Sequence, residues 1–162
     1  MPHPKGYSKA QIALHWVIAV LVAAQYLFHD SIVAAWAGIR KVDEFLFEPL
    51  ILAHVAGGLL ILALVAWRLT LRLRYGAPPP TENEPGSLKT LSHIAHWSFF
   101  GLLAALSVSG GVAWFANIGT AAEAHNLLKI ALLALIVLHV LAVPFHRIVL
   151  KNNVMLRMER AG

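Results

Sequence analysis

The chain alternates long apolar runs with short polar stretches. Four runs, at about 11–29, 49–71, 91–116 and 122–150, reach or approach the ~20 residues that carry an α-helix across a ~30 Å hydrocarbon layer. None has the apolar–polar alternation of a lipid-facing barrel strand, and in lipid only helices or closed barrels pair every backbone N–H and C=O. The pattern predicts an all-α fold, an integral membrane, antiparallel four-helix bundle forming one domain over 1–162. Between the second and third runs, Tyr75-Gly76-Ala77-Pro78-Pro79-Pro80 and the polar residues from Glu82 to Gly86 make a loop through which no helix continues. Asn117-Ile118-Gly119-Thr120 turns the chain before the last helix, with Glu123 expected in that helix's first turn.

Composition removes the soluble alternative. Hydrophobic residues make up 59% of 162 positions and charged residues 13%, with mean hydropathy +0.69, a surplus too large for the core of a globular domain. There is no cysteine, which excludes disulfides, iron–sulfur clusters and thiolate-ligated haem together. None of the three methionines lies inside a run.

The net charge of +5 reads as a topology signal. Lys5, Lys9, Arg68, Arg72, Arg74, Lys89, Arg147, Lys151, Arg157 and Arg160 fall on one side of the bundle. The other side holds Arg40 and Lys41, diluted by Asp43, Glu44 and Glu48, and Lys129 just inside the last run. Basic residues concentrate on the cytoplasmic side, so both termini are expected there. No soluble basic face remains for a nucleic acid. Ala35-Trp36-Ala37 has the small residues of a signal cleavage site, but the first run is long and holds His15 and Gln25, so it is expected to stay as a span.

The chemistry lies in the histidines. His125 and His139 are fourteen residues apart in one run, nearly on one helical face and roughly 21 Å apart along the axis. Those are two depths in one membrane. With the N-terminus inside, His15 lies in the inner half of the first helix and His54 in the outer half of the second. Depth then pairs His54 with His125 and His15 with His139, two bis-histidine haem sites suited to electron transfer and poorly suited to oxygen binding. One histidine in a membrane helix often does no more than bond a neighbour, whereas four matched by depth point to function. Gly57-Gly58 and Gly110-Gly111 would let a flat macrocycle approach the backbone, or simply allow close helix packing.

Several stretches together resemble the bacterial cytochrome b561 family. They are Tyr7-Ser8-Lys9-Ala10-Gln11-Ile12-Ala13-Leu14-His15-Trp16, the segment from His54 to Arg68, Arg68-Leu69-Thr70-Leu71-Arg72-Leu73-Arg74-Tyr75, Leu91-Ser92-His93-Ile94-Ala95-His96, and His139 and His146 with the tail Lys151-Asn152-Asn153-Val154-Met155-Leu156-Arg157-Met158. The resemblance covers nearly the whole chain. It implies a bacterial inner-membrane protein with two b-type haems, ligated by one histidine each from the first and second helices and two from the fourth, matching His15, His54, His125 and His139. Members resemble quinone-linked electron carriers, and some are superoxide oxidases that pass the electron to ubiquinone. The compact segment between the third and fourth helices departs from the pattern at the outer face.

Other residues are candidates of second rank. His93 and His96 share a face at the start of the third helix and suit a quinone or proton role, or a plain interfacial one. Arg68 and Arg72 suit haem propionates, or ordinary positive-inside anchoring. Arg40, Lys41 and Lys129 are the outer cations that would attract a small anion such as superoxide. Trp16, Trp36, Trp67, Trp97 and Trp114 read as interfacial belt residues. His29 marks the outer end of the first helix, His146 a solvated helix end, and His3 a flexible terminus. The reading is a one-electron relay across the bilayer, from a small anionic donor to a quinone. The alternatives are a haem-bearing membrane anchor serving a separate dehydrogenase, and a haem-free bundle that binds a transition metal.

Overall fold

Five α-helices and a 3-10 turn build the chain in a computed structural model that describes residues 6–42, 49–79, 85–152, 154–159 and 161. They are α1 (Lys9–Leu27), α2 (His29–Val42), α3 (Pro49–Tyr75), α4 (Gly86–Ala116) and α5 (Gly119–Ile148), with the 3-10 turn at Met155–Met158. α1, α3, α4 and α5 are long and apolar enough to span a membrane, and no strand occurs among the described residues. The four-span bundle is therefore as expected. His3, Lys5, Asp43, Glu44, Glu48, Pro80, Glu82, Asn153 and Arg160, and the side chains of Arg40 and Lys41, lie outside the described residues.

Local chemistry sets the helix ends. Ser8 and Gln11 form a reciprocal capping box at the start of α1, with Ser8 N–H donating to Gln11 Oε1 (2.9 Å) and Gln11 N–H to Ser8 Oγ (3.3 Å). Gln11 Nε2 also donates to the carbonyl of Gly76 (3.1 Å), tying the start of α1 to the end of α3. Gly76 leaves α3 with a φ of 75°, the left-handed exit that glycine allows without strain. Asn117 ends α4 the same way at a φ of 52°, the next best residue for that conformation. Pro144 stands in the last turns of α5, where little of the helix remains for its missing N–H to disrupt.

Several boundaries depart from the sequence reading: α3 continues to Tyr75 and α4 already begins at Gly86, both assigned to the loop from the sequence. α5 begins at Gly119, so Glu123 lies in its second turn and not its first. α1 stops at Leu27, and His29, expected at its outer end, is instead the first residue of α2. α2 escaped the sequence reading because Asp30, Ser31, Arg40 and Lys41 break the apolar run. Its Ile32, Val33 and Trp36 nevertheless share one helical face and border a cavity beside α3.

The helices pack in the order α1–α3–α4–α5, with α2 laid against α3. Ile18 and Val22 of α1, Ile61 and Val65 of α3, Leu106 of α4 and Leu132 of α5 form the buried core. Leu127, Ile130, Leu138, Val140, Leu141 and Ile148 of α5 are exposed, an apolar exterior that fits hydrocarbon as its solvent. Below the bundle the tail folds back, with Trp16 Nε1 donating to the Met158 carbonyl (3.0 Å) and Arg157 to that of Pro79 (2.6 Å). Leu132 is 2% exposed and Leu133 47%. Leu132→Ala should cost about 2–5 kcal/mol in a detergent unfolding titration, by loss of contacts and the cavity left behind, and Leu133→Ala far less.

Candidate functional site

Polar side chains collect in two layers, above and below the apolar core. The inner layer forms where α1, α3, α4 and α5 meet. The rings of His15 and His139 face each other with centroids 6.4 Å apart and planes at 71°. A first-row metal holds an imidazole nitrogen at about 2.0–2.1 Å, so two rings flanking one iron have centroids roughly 6 Å apart. The observed separation fits that requirement. Phe99 closes on His139 edge-on at 5.2 Å, and His96 lies against His139 at 5.7 Å with perpendicular rings.

His96 is fixed by its own helix. Its Nδ1 lies 2.6 Å from the Ser92 carbonyl, which only accepts, so Nδ1 carries the proton and Nε2 keeps its lone pair. His93, one turn away, is exposed and touches Trp97 (6.2 Å). The two histidines expected to act together thus diverge: three residues leave them about 60° apart around the helix, which here puts His93 at the exposed edge and His96 against His139.

The arginines also separate. Arg68 donates to Nδ1 of His15 (3.1 Å) and lies over Phe100 (5.9 Å). Arg72 stacks over Trp97 (5.6 Å) and Phe100 (5.9 Å), a cation–π arrangement that holds its charge at the edge of the layer.

The outer layer surrounds a cavity of about 160 Å³ bordered by His54, His125, Gly58, Gly110, Gly111 and Trp114 among others. His125 donates from Nδ1 to the Leu106 carbonyl (2.9 Å), with Ser109 Oγ at 3.3 Å. That bond leaves Nε2 as the nitrogen with a free lone pair, the tautomer a metal takes. Nδ1 of His54 is buried with no protein partner. The twin glycines divide their work. Gly110 receives the His125 ring, since a Cβ there would meet Nδ1 and Cε1 at 3.0 Å, and Gly57 receives Gln25, while Gly58 and Gly111 face open space and border the cavity. Trp36 and Trp114 border it too, and Trp16 meets His15 at 5.4 Å. The tryptophans are thus not belt residues alone.

At the outer edge, Lys129 Nζ lies 2.6 Å from His29 Nε2 and 3.4 Å from Asn126 Oδ1. Tyr26 donates its hydroxyl to the Lys129 carbonyl (2.6 Å). Burial, and then the Lys129 charge, pull the His29 pKa below its ordinary value, against the opposing pull of Asp30. Neutral His29 therefore accepts from the ammonium of Lys129. Lys129 was expected from the sequence as an outer cation, but its pairing with His29, and any role for Gln25 in the site, were not. The available signal was polarity alone: a lysine and a glutamine inside apolar runs.

No group of three or more His, Cys, Asp or Glu among the described residues is arranged to hold a metal ion. The described histidines come in pairs, an arrangement that a macrocycle bringing its own in-plane nitrogens could complete. The sequence profile of prokaryotic cytochrome b561 matches residues 6–160. The chain belongs to that family. It is 29% identical to a probable superoxide oxidase CybB of Yersinia pestis over 178 residues, 95% of this chain and 96% of that one. It is 30% identical to a cytochrome b562 of Cereibacter sphaeroides, over 99% of both chains. Family membership makes this an electron-transfer membrane protein and carries with it a b-type haem, for which the paired imidazoles, the His125 tautomer and the unpartnered His54 nitrogen are fitting partners.

The glycine contacts yield a test. Gly110→Ala should push the His125 ring and lower haem retention by roughly tenfold, the scale of second-layer metal-site changes. Gly101→Ala, where a Cβ meets nothing within 4 Å and which borders neither cavity, should leave the visible spectrum as it is.

Proposed function

We propose that this membrane cytochrome holds two b-type haems, an inner one between His15 and His139 and an outer one between His54 and His125, and passes single electrons from superoxide to ubiquinone across the bacterial inner membrane. The basic residues of the inner side support a cytoplasmic location for both termini. The observation that carries the reading is the pair of imidazoles at 6.4 Å between α1 and α5, with a second pair bordering one cavity at the other end of the same bundle. Superoxide as donor rests on the likeness to the probable superoxide oxidase and on the outer cation, Lys129.

Bound haem supplies the one-electron ferric–ferrous couple. The chain supplies the rest. Two imidazoles at each site would hold the haem from both sides, which favours transfer over oxygen activation. Lys129, held beside His29 and Asn126, gives the outer mouth a fixed positive charge toward which an anion drifts. Two superoxide anions each yield one electron and leave as dioxygen, and the quinone takes two electrons and two protons. With Nε2 of His15 toward a haem, its Nδ1 would carry the proton, and Arg68 and Arg72 would be the cations to hold a propionate carboxylate. Bare Nε2 of His96 is the proton-handling group nearest the inner pair, and makes the inner side the place where a quinone collects its protons.

Several measurements test this. Pyridine extraction should return two haems per chain, and the reduced protein should be low-spin and bind carbon monoxide poorly. His15→Ala and His139→Ala should disturb one haem signal, His54→Ala and His125→Ala the other; His54→Ala and His139→Ala acting on the same haem would break the pairing. Mixing the purified chain with superoxide and a soluble quinone should reduce haem and form quinol without another subunit. Lys129→Gln should slow haem reduction by roughly tenfold at low ionic strength and weaken its salt dependence, the low end of electrostatic steering. Absence of turnover by the isolated chain would favour the anchor of a separate dehydrogenase.

A further inference from the structure

Two buried polar atoms of the outer layer have no protein partner: Nδ1 of His54 and Oε1 of Gln25. They belong to side chains already joined. Gln25 Nε2 donates to the backbone carbonyl of His54 at 3.2 Å, and both residues border the same cavity of about 70 Å³. The bond settles which way round the amide lies. A carbonyl only accepts, so Nε2 must face it and Oε1 is left over as an acceptor. Gly57 makes the seat, because a Cβ at that position would run into Gln25 Nε2. A glycine and a backbone bond thus hold an unused acceptor on the cavity that the His54 imidazole, whose Nδ1 has no taker among the described residues, also borders.

His125 shows what such an acceptor does. Its Nδ1–H is held by the Leu106 carbonyl, which fixes both tautomer and ring orientation. His54 has no carbonyl in that place among the described residues. A buried donor without an acceptor is costly, and metal-ligating imidazoles nearly always hand their second N–H to a carboxylate, carbonyl or water.

We propose that Gln25 is the positioning residue of His54: the Nδ1–H of His54 donates to Gln25 Oε1, and this bond sets the orientation and donor strength of that imidazole toward the outer haem. The inference rests on His54 being a haem ligand. An acceptor on Nδ1–H draws the ring toward imidazolate, which strengthens its donation and favours ferric iron. A carboxylate in the same place does so more strongly, and an apolar side chain not at all.

Redox titration of the purified membrane protein, with the two haems resolved by their spectra, tests it. Gln25→Met keeps the side-chain length and removes the acceptor. It should move the outer haem's equilibrium about tenfold toward ferrous, an upward shift of about 59 mV for one electron. Gln25→Glu should move the same haem downward, and the inner haem should stay at its wild-type potential in both. If Gln25→Met does not retain its haem, the near-isosteric Gln25→Glu carries the test alone. Wild-type potentials in every variant that retains haem would overturn the proposal, as would shifts of one sign in both, which is the mark of a packing role. His54→Ala separates the two failures. Retention of both haems by that variant removes the ligation reading and this inference with it. Loss of one haem there, with Gln25 variants at wild-type potential, removes only the role of Gln25.

Discussion

A helix rises about 1.5 Å per residue, and that rise, acting on one rigid rod, orders this molecule. α5 carries His125 near its start and His139 fourteen residues on, so its two imidazoles are held at fixed depths that no side-chain rotation can exchange. The polar side chains of the two layers are placed against one or other of those depths. His15, His96 and Arg68 converge on His139; His54, Gln25, His29 and Ser109 surround the depth of His125. Between them lies the apolar core of Ile18, Val22, Ile61, Val65, Leu106 and Leu132. That core also separates the sites electrically, since it contributes no charge and no hydrogen-bonding side chain.

The layers survive in an apolar bundle because backbone carbonyls take up their protons. A helix interior offers no spare N–H, but a carbonyl has two lone pairs and can accept a second bond. Ser92 and Leu106 accept imidazole N–H bonds, Gly58 accepts from Ser107, and Lys129 accepts the Tyr26 hydroxyl. Such bonds add little stability singly in a membrane. Their effect is directional: each fixes a tautomer or a rotamer, and with it the nitrogen that faces inward.

Much of this was legible in the sequence. Span number followed from run length, and the inner pairing of His15 with His139 from depth, because both depend on distances along a helix axis. What depends on rotation about that axis was not legible. His93 and His96 differ by three residues, yet one is exposed and the other packs on His139. Gly57 and Gly58 are adjacent, yet one seats Gln25 and the other opens on a cavity. α2 was missed for a different reason: its charged ends hid an apolar face that buries itself along the bundle and not across the membrane. Gln25 was read as an oddity in a signal-like run, since nothing in α1 alone reveals that a glycine on α3 receives it.

The way α1 and α5 meet explains why paired histidines suffice. These helices close the bundle opposite the continuous α3–α4 packing, and polar contacts join them at two heights, His15 against His139 and the Tyr26 hydroxyl on the Lys129 carbonyl. A metal bound by protein alone would need three or four ligands brought to one point, and the described residues offer no such group. A macrocycle relaxes that demand, because its own nitrogens complete the coordination and its faces replace the side-chain packing that α1 and α5 would otherwise need. A haem held between His15 and His139 would then also serve as packing between these helices, and its binding to the folded form alone would add stability by mass action. Haem affinity and bundle stability are in that case two readings of one free energy.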